Sequence, residues 1–336
     1  MNQRNVARLA GVSSATVSRV VNNDPNVSGE TAKKVNEVIH KYGYVQNAMA
    51  RNLRMANTKT IGYLVPDIRN PFFPQVLGGI ESVCWKRGYD IIFENTDEKL
   101  DKEKGAINTL MRYRVDGVIA DFVDPNSEDI RKVEKMGIPL VLIDRKKTIG
   151  EKTDCVVIDN IGGMEQMVKY LIDLGHTKIA MIYGSKEITP GIERLQGFNK
   201  AMREAGIVVN EDYVLNGMFS EDGGYECTYR LMKMNEPPTA IITANNVMTM
   251  GAFKALADNS IKIPADVSLA GFDDFPLAAY LTPSLTVVNR PTWEMGQTAA
   301  EILLERIENK DADHPKKEMV LPTNLLIRGS CAPVTK

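Results

Sequence analysis

The chain has 336 residues, 43% hydrophobic and 25% charged, which suits two or three compact units with buried cores and excludes wholesale disorder. No apolar run approaches the roughly 18 residues a membrane span needs, and no basic segment leads into an apolar stretch at the start. A membrane span and an export signal are therefore not expected, and the cytoplasm is. The net charge is −2, but residues 1–56 hold eight Lys/Arg against three Asp/Glu, a net of +5 that leaves −7 on the remainder, so one end is suited to a polyanion.

In chain order, the first unit reads as three short helices. Asn2 can cap a helix over 3–9, and Gly11 sits where a left-handed residue would end it. Ser13 can cap a second helix running to Val21; Asn23-Asp24-Pro25 breaks the pattern, and Ser28 can cap a third to about Tyr42. Val6, Leu9, Ala10, Val17, Val20, Val21, Val35, Val38 and Ile39 fall at helical spacing and predict one small core. After an Asn/Ala/Arg-rich stretch (47–59) the texture changes. Short β-branched runs at 61–65, 90–93, 117–120 and 140–143, then at 179–182, 240–243 and 268–271, alternate with amphipathic segments. Several of those segments end in Gly just before a strand, at 88, 137, 175 and 206. This alternation predicts parallel sheets covered by helices on both faces, and the number of strands favours two doubly wound subdomains.

In such sheets ligands bind beyond the carboxyl ends of the strands. Asp67, Asn70, Phe72 and Phe73 follow the first run, Asn95, Thr96 and Asp97 the second, Asp121 the third, and Asp144 and Arg145 the fourth. Asn245 and Asn246, then Asp273 and Asp274, follow two later runs. Any one of these polar residues is equally well explained as a helix cap; their recurrence predicts a shared polar crevice. Carboxylates, amides and guanidinium groups beside aromatic rings suit a small polyhydroxylated ligand. Phosphate-loop, nucleophile-elbow and zinc-helix motifs are absent, so no enzyme and no cofactor is expected. The four Cys lack C-x-x-C spacing, and His176, after a helix-ending Gly, is expected at the surface or a strand edge.

The run Asn5-Val6-Ala7-Arg8-Leu9-Ala10-Gly11-Val12-Ser13-Ser14-Ala15-Thr16-Val17-Ser18-Arg19-Val20-Val21-Asn22 closely resembles the headpiece of the lac-repressor (LacI/GalR) family. Further stretches resemble the family in family order: Tyr42-Gly43-Tyr44, Asn47-Ala48-Met49-Ala50-Arg51-Asn52-Leu53-Arg54, Asn70-Pro71-Phe72-Phe73, Val115-Asp116-Gly117, Arg194-Leu195-Gln196-Gly197-Phe198 and Gly271-Phe272-Asp273-Asp274. The resemblance implies a helix-turn-helix headpiece (1–45), a hinge helix and linker (46–58), and an effector-binding and dimerisation core (59–336) similar to periplasmic binding proteins. Within that core it implies an N-lobe of about 59–159 and 290–321 and a C-lobe of about 160–289 and 322–336.

It also implies roles. Ser14, Ala15 and Arg19 match positions that face base edges, while Ser13, Thr16, Ser18 and Asn22 suit phosphate contacts, although helix propensity and local capping explain Ala15, Thr16 and Ser18 as well. Leu53, with Ala50 and Arg51, matches a hinge that wedges into the minor groove; packing of Leu53 against the core is the other reading. Arg194, Asn245 and Asp273 match effector contacts, with Phe219 as an aromatic platform and Phe72, Phe73, Asp144 and Arg145 as further lining. Asn245-Asn246 departs from a frequent Asn-Asp pair, which removes a carboxylate from or near the pocket; Leu326-Ile327-Arg328-Gly329-Ser330 departs from the usual chain ending. The expected function is repression of carbohydrate-utilisation genes by a homodimer, rather than a tetramer, on a pseudo-palindromic double-stranded operator, relieved by a sugar or sugar derivative. Co-repression by a non-sugar metabolite or a phosphoprotein is the alternative.

Overall fold

A computed structural model describes residues 1–21, 24–44, 57–147, 153–309 and 315–334, and the chain divides into two compact units, Met1–Thr58 and Lys59–Lys336. In the first unit, helices α1 (Gln3–Ala10), α2 (Ser14–Val21) and α3 (Gly29–Tyr42) pack on one another. Each begins where a short polar side chain accepts an otherwise orphaned amide: Asn2 from Asn5 at 2.9 Å, Ser13 from Thr16 at 3.0 Å and Ser28 from Thr31 at 3.4 Å. Val6, Ala7, Val17, Val20 and Val35 form the core, with Ala10, Val21, Val38 and Ile39 half-buried around it. Leu9 corrects the expectation, being 45% exposed. At about 100° per residue, Val6, Ala10 and Ala7 share one arc of α1, and Leu9 falls outside it.

The second unit is built from two six-stranded sheets. The N-lobe runs β1 (Thr60–Val65), α4 (Phe72–Arg87), β2 (Asp90–Asn95), α5 (Leu100–Tyr113), β3 (Gly117–Ala120), α6 (Glu128–Lys135), β4 (Leu140–Ile143) and β5 (Asp154–Ile158). The chain then enters the C-lobe through α7 (Asn160–Asp173), β6 (Ile179–Tyr183), α8 (Thr189–Glu204), a 3-10 turn (Glu211–Tyr213) and β7 (Val214–Asn216). The C-lobe continues with α9 (Glu221–Met232), β8 (Ala240–Thr243), α10 (Asn246–Asp258), β9 (Ser268–Phe272) and β10 (Thr286–Asn289). α11 (Thr292–Glu308) and β11 (Glu318–Leu321) return to the N-lobe, and β12 (Asn324–Leu326) goes back again. The N-lobe order, β11-β5-β4-β3-β1-β2, is parallel throughout; the C-lobe order, β12-β10-β9-β8-β6-β7, is parallel except for antiparallel β12. The chain therefore passes between lobes at residues 159, 290–291 and 322–323.

Seven of the twelve described strands coincide with the β-branched runs of the sequence. The other five, β5, β7, β10, β11 and β12, are three to five residues long and fall outside those runs; β11 exposes its first three side chains. Gly88 and Gly175 close α4 and the turn after α7 with φ of 69° and 88°, a left-handed conformation that a Cβ disfavours. His176 is buried, contrary to expectation. Its Nδ1 lies 2.9 Å from Thr239 Oγ1 and its Nε2 3.1 Å from Ser268 Oγ and the Ala332 carbonyl, so it ties the last segment to the C-lobe, and burial pushes its pKa down. Among the described residues, no helix is long and apolar enough to cross a membrane.

The N-lobe depends on one close approach. α4 and α11 meet at Gly79 and Gly296, where an added Cβ would stand 2.1 Å from the Trp293 carbonyl and 2.1 Å from the Val76 carbonyl respectively. Backbone sits opposite in both cases, so no side chain can yield. Gly79→Ala should therefore destabilise the protein by about 1–3 kcal/mol through overpacking. Urea denaturation checks this; an unchanged midpoint would show that the helices can separate without cost.

Candidate functional site

The first unit offers a surface on α2. Val17 and Val20 are buried, and Ser14, Ala15 and Arg19 are exposed on the remaining faces, with the Arg19 side chain 64% exposed and its Nε 3.9 Å from Asp24. Such an exposed, loosely paired guanidinium can still fork onto a base edge. Ser13 and Thr16 serve the helix first: Ser13 Oγ caps α2 and lies 2.9 Å from Thr16 Oγ1. That pairing uses one of the two hydroxyl protons and leaves the other for an outside acceptor. Ser18 is half-buried. Asn22, Ala50, Arg51 and Leu53 lie outside the described residues.

In the second unit, strand ends of both sheets border one cavity of about 990 Å3. All eight residues expected around an effector line it: Phe72 and Phe73 after β1, Asp144 and Arg145 after β4, Arg194 on α8, Phe219 after β7, Asn245 after β8 and Asp273 after β9. The backbone there is unusual. Of the nine described non-glycine residues with left-handed φ, six line this cavity: Asp97, Glu98, Asp144, Met218, Phe219 and Asp273. Strain of this kind persists where surrounding structure enforces it, commonly at functional sites. Gly184 belongs to the same construction, because a Cβ there would stand 2.2 Å from the Phe219 ring.

Arg194 is 1% exposed and tightly held. Its Nε donates to Asn160 Oδ1 at 2.8 Å and its Nη1 to the Ala244 carbonyl at 2.5 Å, its guanidinium carbon lies 3.9 Å from the Phe272 ring centroid, and Nη1 lies 3.6 Å from Asp273. Burial lowers its pKa, opposed by Asp273. Its Nη2 is buried without a hydrogen-bond partner, a costly arrangement that an acceptor in the cavity would relieve. Asn245 Oδ1 caps α10 by accepting from the Met248 amide at 2.8 Å, which leaves its amide nitrogen to donate.

Arg290, at the second lobe crossing, is absent from the sequence-based set. It is 4% exposed, donates to Asp144 Oδ1 at 2.5 Å, meets both oxygens of Asp273 at 2.8 and 2.9 Å, and stacks 3.5 Å from the Phe72 ring centroid. One face of Phe72 is thus covered by the chain itself. Arg290 follows β10, a strand outside the runs read from the sequence. The tandem asparagine also has a use here: Asn246 Nδ2 donates to Asn70 Oδ1 at 3.0 Å, from C-lobe to N-lobe.

Arg145 differs from Arg194 in that its one buried nitrogen without a hydrogen bond, Nε, lies against a carboxylate, Asp121. It pairs with Glu98 at 2.6 Å, lies 3.2 Å from buried Asp121 and donates to the Phe122 carbonyl at 3.1 Å, which makes it a wall of the cavity more than a free donor. Burial holds Asp121 well above the usual carboxylate range, with Arg145 opposing. Nearby, Glu103 is fully buried, accepts from the Val123 amide at 2.6 Å with one oxygen, and has no partner for the other. Burial pushes its pKa up to about 7. An acid whose folded pKa is raised binds its proton more tightly folded than unfolded. Its contribution is therefore fully present below about 4.5, its ordinary value, and is lost as pH rises through about 7. Glu103→Gln should remove this loss, gaining on the order of 1–3 kcal/mol over wild type at pH 8 but not at pH 4.5. Denaturation at the two pH values decides it; an equal effect at both would mean that ionisation of Glu103 is not involved.

Comparison with known proteins finds matches in both units. Residues 4–47 match the lacI family of bacterial regulatory proteins, and residues 168–331 match the periplasmic binding protein-like domain. The chain is 37% identical over 326 residues to the HTH-type transcriptional repressor PurR of Vibrio vulnificus, covering 97% of each protein. The lac repressor dimer bound to operator and the anti-inducer ONPF superposes with a TM-score of 0.85 at 26% identity, covering 99% of both chains. A LacI family transcriptional regulator from Enterococcus faecium with bound ribose superposes with a TM-score of 0.73 at 32% identity, covering 82% of this chain and 100% of that one. With a helix-turn-helix unit, a two-lobed core and relatives matched along nearly its whole length, this chain belongs to the LacI family of transcriptional repressors.

Proposed function

We propose that the chain represses transcription as a homodimer on a pseudo-palindromic operator, and that a neutral sugar bound in the cavity releases it. The observation that carries the ligand class is Arg194: a buried, fixed guanidinium with an unpartnered N–H group at a cavity wall. A sugar hydroxyl accepts from such a donor while donating onward to a carboxylate such as Asp273 or Asp144. Phe219 supplies an aromatic face for the CH side of the ring, and Asn245 supplies an amide donor. Phe72, Phe73 and Arg145 support the site from behind: Arg290 stacks on Phe72, Phe73 packs edge-on against it, and Arg145 is held by Glu98, Asp121 and the Phe122 carbonyl.

Charge argues for a neutral ligand. Nine carboxylates and four arginines line the cavity, so an anionic metabolite enters a net negative field. The ribose-bound relative supports the same class. Ligand acts on the operator only through unequal affinity for two core states. A thermal-shift screen of the full chain against neutral pentoses, hexoses and disaccharides, sugar phosphates and nucleobases should find a neutral sugar. At one hundred times its Kd, such a ligand adds about 2.7 kcal/mol. Asp273→Asn, which tolerates the left-handed backbone at that residue, should abolish the shift and spare operator binding. A response confined to nucleobases or sugar phosphates would overturn the sugar reading, and tighter operator binding with ligand would favour the co-repressor alternative.

On DNA, Ser14, Ala15 and Arg19 face bases, and Ser13, Thr16 and Ser18 hold phosphates. Arg19→Ala should cost about 1–3 kcal/mol on the operator and relax preference at one base pair. Binding to a set of single-base operator variants tests this; a uniform loss across all of them would reassign Arg19 to phosphate.

A further inference from the structure

Arg290 stands on one of the three segments that pass between lobes, yet its side chain turns into the cavity instead of towards water. Its two carboxylate partners come from different bodies. Asp144 follows β4 of the N-lobe, with its side chain 10% exposed; Asp273 follows β9 of the C-lobe, with its side chain 3% exposed. Both carboxylates sit on left-handed backbone, at φ of 60° and 72°. The guanidinium is also seated on Phe72, a residue of the N-lobe. This is the arrangement a ligand would adopt, an aromatic face below and acids from both lobes around, and here the chain supplies the occupant.

We infer that Arg290 is a positioning residue of the cleft: a latch that holds the two lobes together before any effector arrives. Burial makes the latch consequential. Separating the lobes pulls Arg290 from Asp144 and leaves at least one charge without its partner in a place from which water is largely excluded. Opening must therefore include hydration of that pair, which makes the closed core the resting state. Two neutral contacts span the same gap and report on it. The Lys146 amide, two residues beyond Asp144, donates to Thr189 Oγ1 of α8 at 3.1 Å, and Asn246 donates to Asn70. A Lys146 amide bonded across the cleft exchanges with solvent only when the cleft opens.

The latch is independent of which molecule binds, so it is tested with no ligand present. Asp144→Asn in the full chain removes one arm of the latch. It leaves Arg290 on Asp273, and it keeps the left-handed backbone, which Asn accepts. Hydrogen exchange at Lys146 should quicken by about tenfold or more, as expected if closure weakens by a step large enough to change an equilibrium constant tenfold, and the radius of gyration should rise. Arg290→Gln, which also frees Asp273, should do so at least as strongly, and the double substitution should add little to Arg290→Gln, because the pair with Asp144 is already gone. Amides in the middle of β3 and β8, deep in each sheet, should keep their wild-type protection. Unchanged exchange at Lys146 in both single variants would overturn the latch. So would equal acceleration in β3 and β8, which would mean that the pair supports the fold and not the closure. If Arg290→Gln fails to fold, exchange at Lys146 in Asp144→Asn alone decides between the same two outcomes.

Discussion

A parallel strand can end on only one edge of its sheet, and this constraint organises the core. All of the twelve described strands but β12 point the same way within their sheet, so each sheet collects its carboxyl ends on one side, and strand ends of both sheets reach the same cavity. Residues far apart in sequence, Asp144 and Asp273 among them, become partners of a single guanidinium. The chain cannot do this without crossing between lobes. It crosses three times, and the middle crossing delivers Arg290 to the point where the two edges meet.

The electrostatics of the cavity follow from that convergence. On its floor two arginines face two aspartates, so the buried charges balance, but not in equal ways. Arg290 has acids against it on both sides and Phe72 beneath it, and its Nε, though without a hydrogen bond, lies 2.8 Å from Asp273; Arg194 is fixed by Asn160 and the Ala244 carbonyl, and its Nη2 has no hydrogen-bond partner. A cation enclosed by acids builds the cavity; one with a donor facing no hydrogen-bond partner recruits an acceptor. Further out, Arg145 repeats the acid-paired pattern with Glu98 and Asp121, and the remaining carboxylates give the opening its negative sign. The same chemistry thus separates residues that shape the site from residues that would touch a ligand.

Much of this is legible in the sequence, for identifiable reasons. Caps are local, so Asn2, Ser13 and Ser28 mark three helix starts without reference to any partner. Long β-branched runs and the glycines that end helices show the alternation of parallel strands and helices, and the polar residues after each run point to the crevice. What escapes depends on tertiary partners. Leu9 has helical spacing but lies just outside the buried arc of α1. His176 looks like a surface residue because nothing local indicates Thr239, Ser268 and Ala332, which enclose it. Arg290 goes unnoticed because an arginine before a proline reads as a loop; its role exists only where the lobes converge. Phe72 reads as a residue lining the effector site, whereas the chain's own guanidinium covers one of its faces.

If operator and effector act on opposite states of one molecule, their effects must be reciprocal. A sugar that loosens operator binding by some factor requires that the operator loosen sugar binding by the same factor. Calorimetric titration of the sugar into the free protein and into its operator complex measures this without any substitution. Sugar affinity should be weaker on the operator, by a factor matching the loss of operator affinity that saturating sugar causes. Equal sugar affinities in the two titrations would contradict the coupling, and would show that the cleft and the helix-turn-helix act independently.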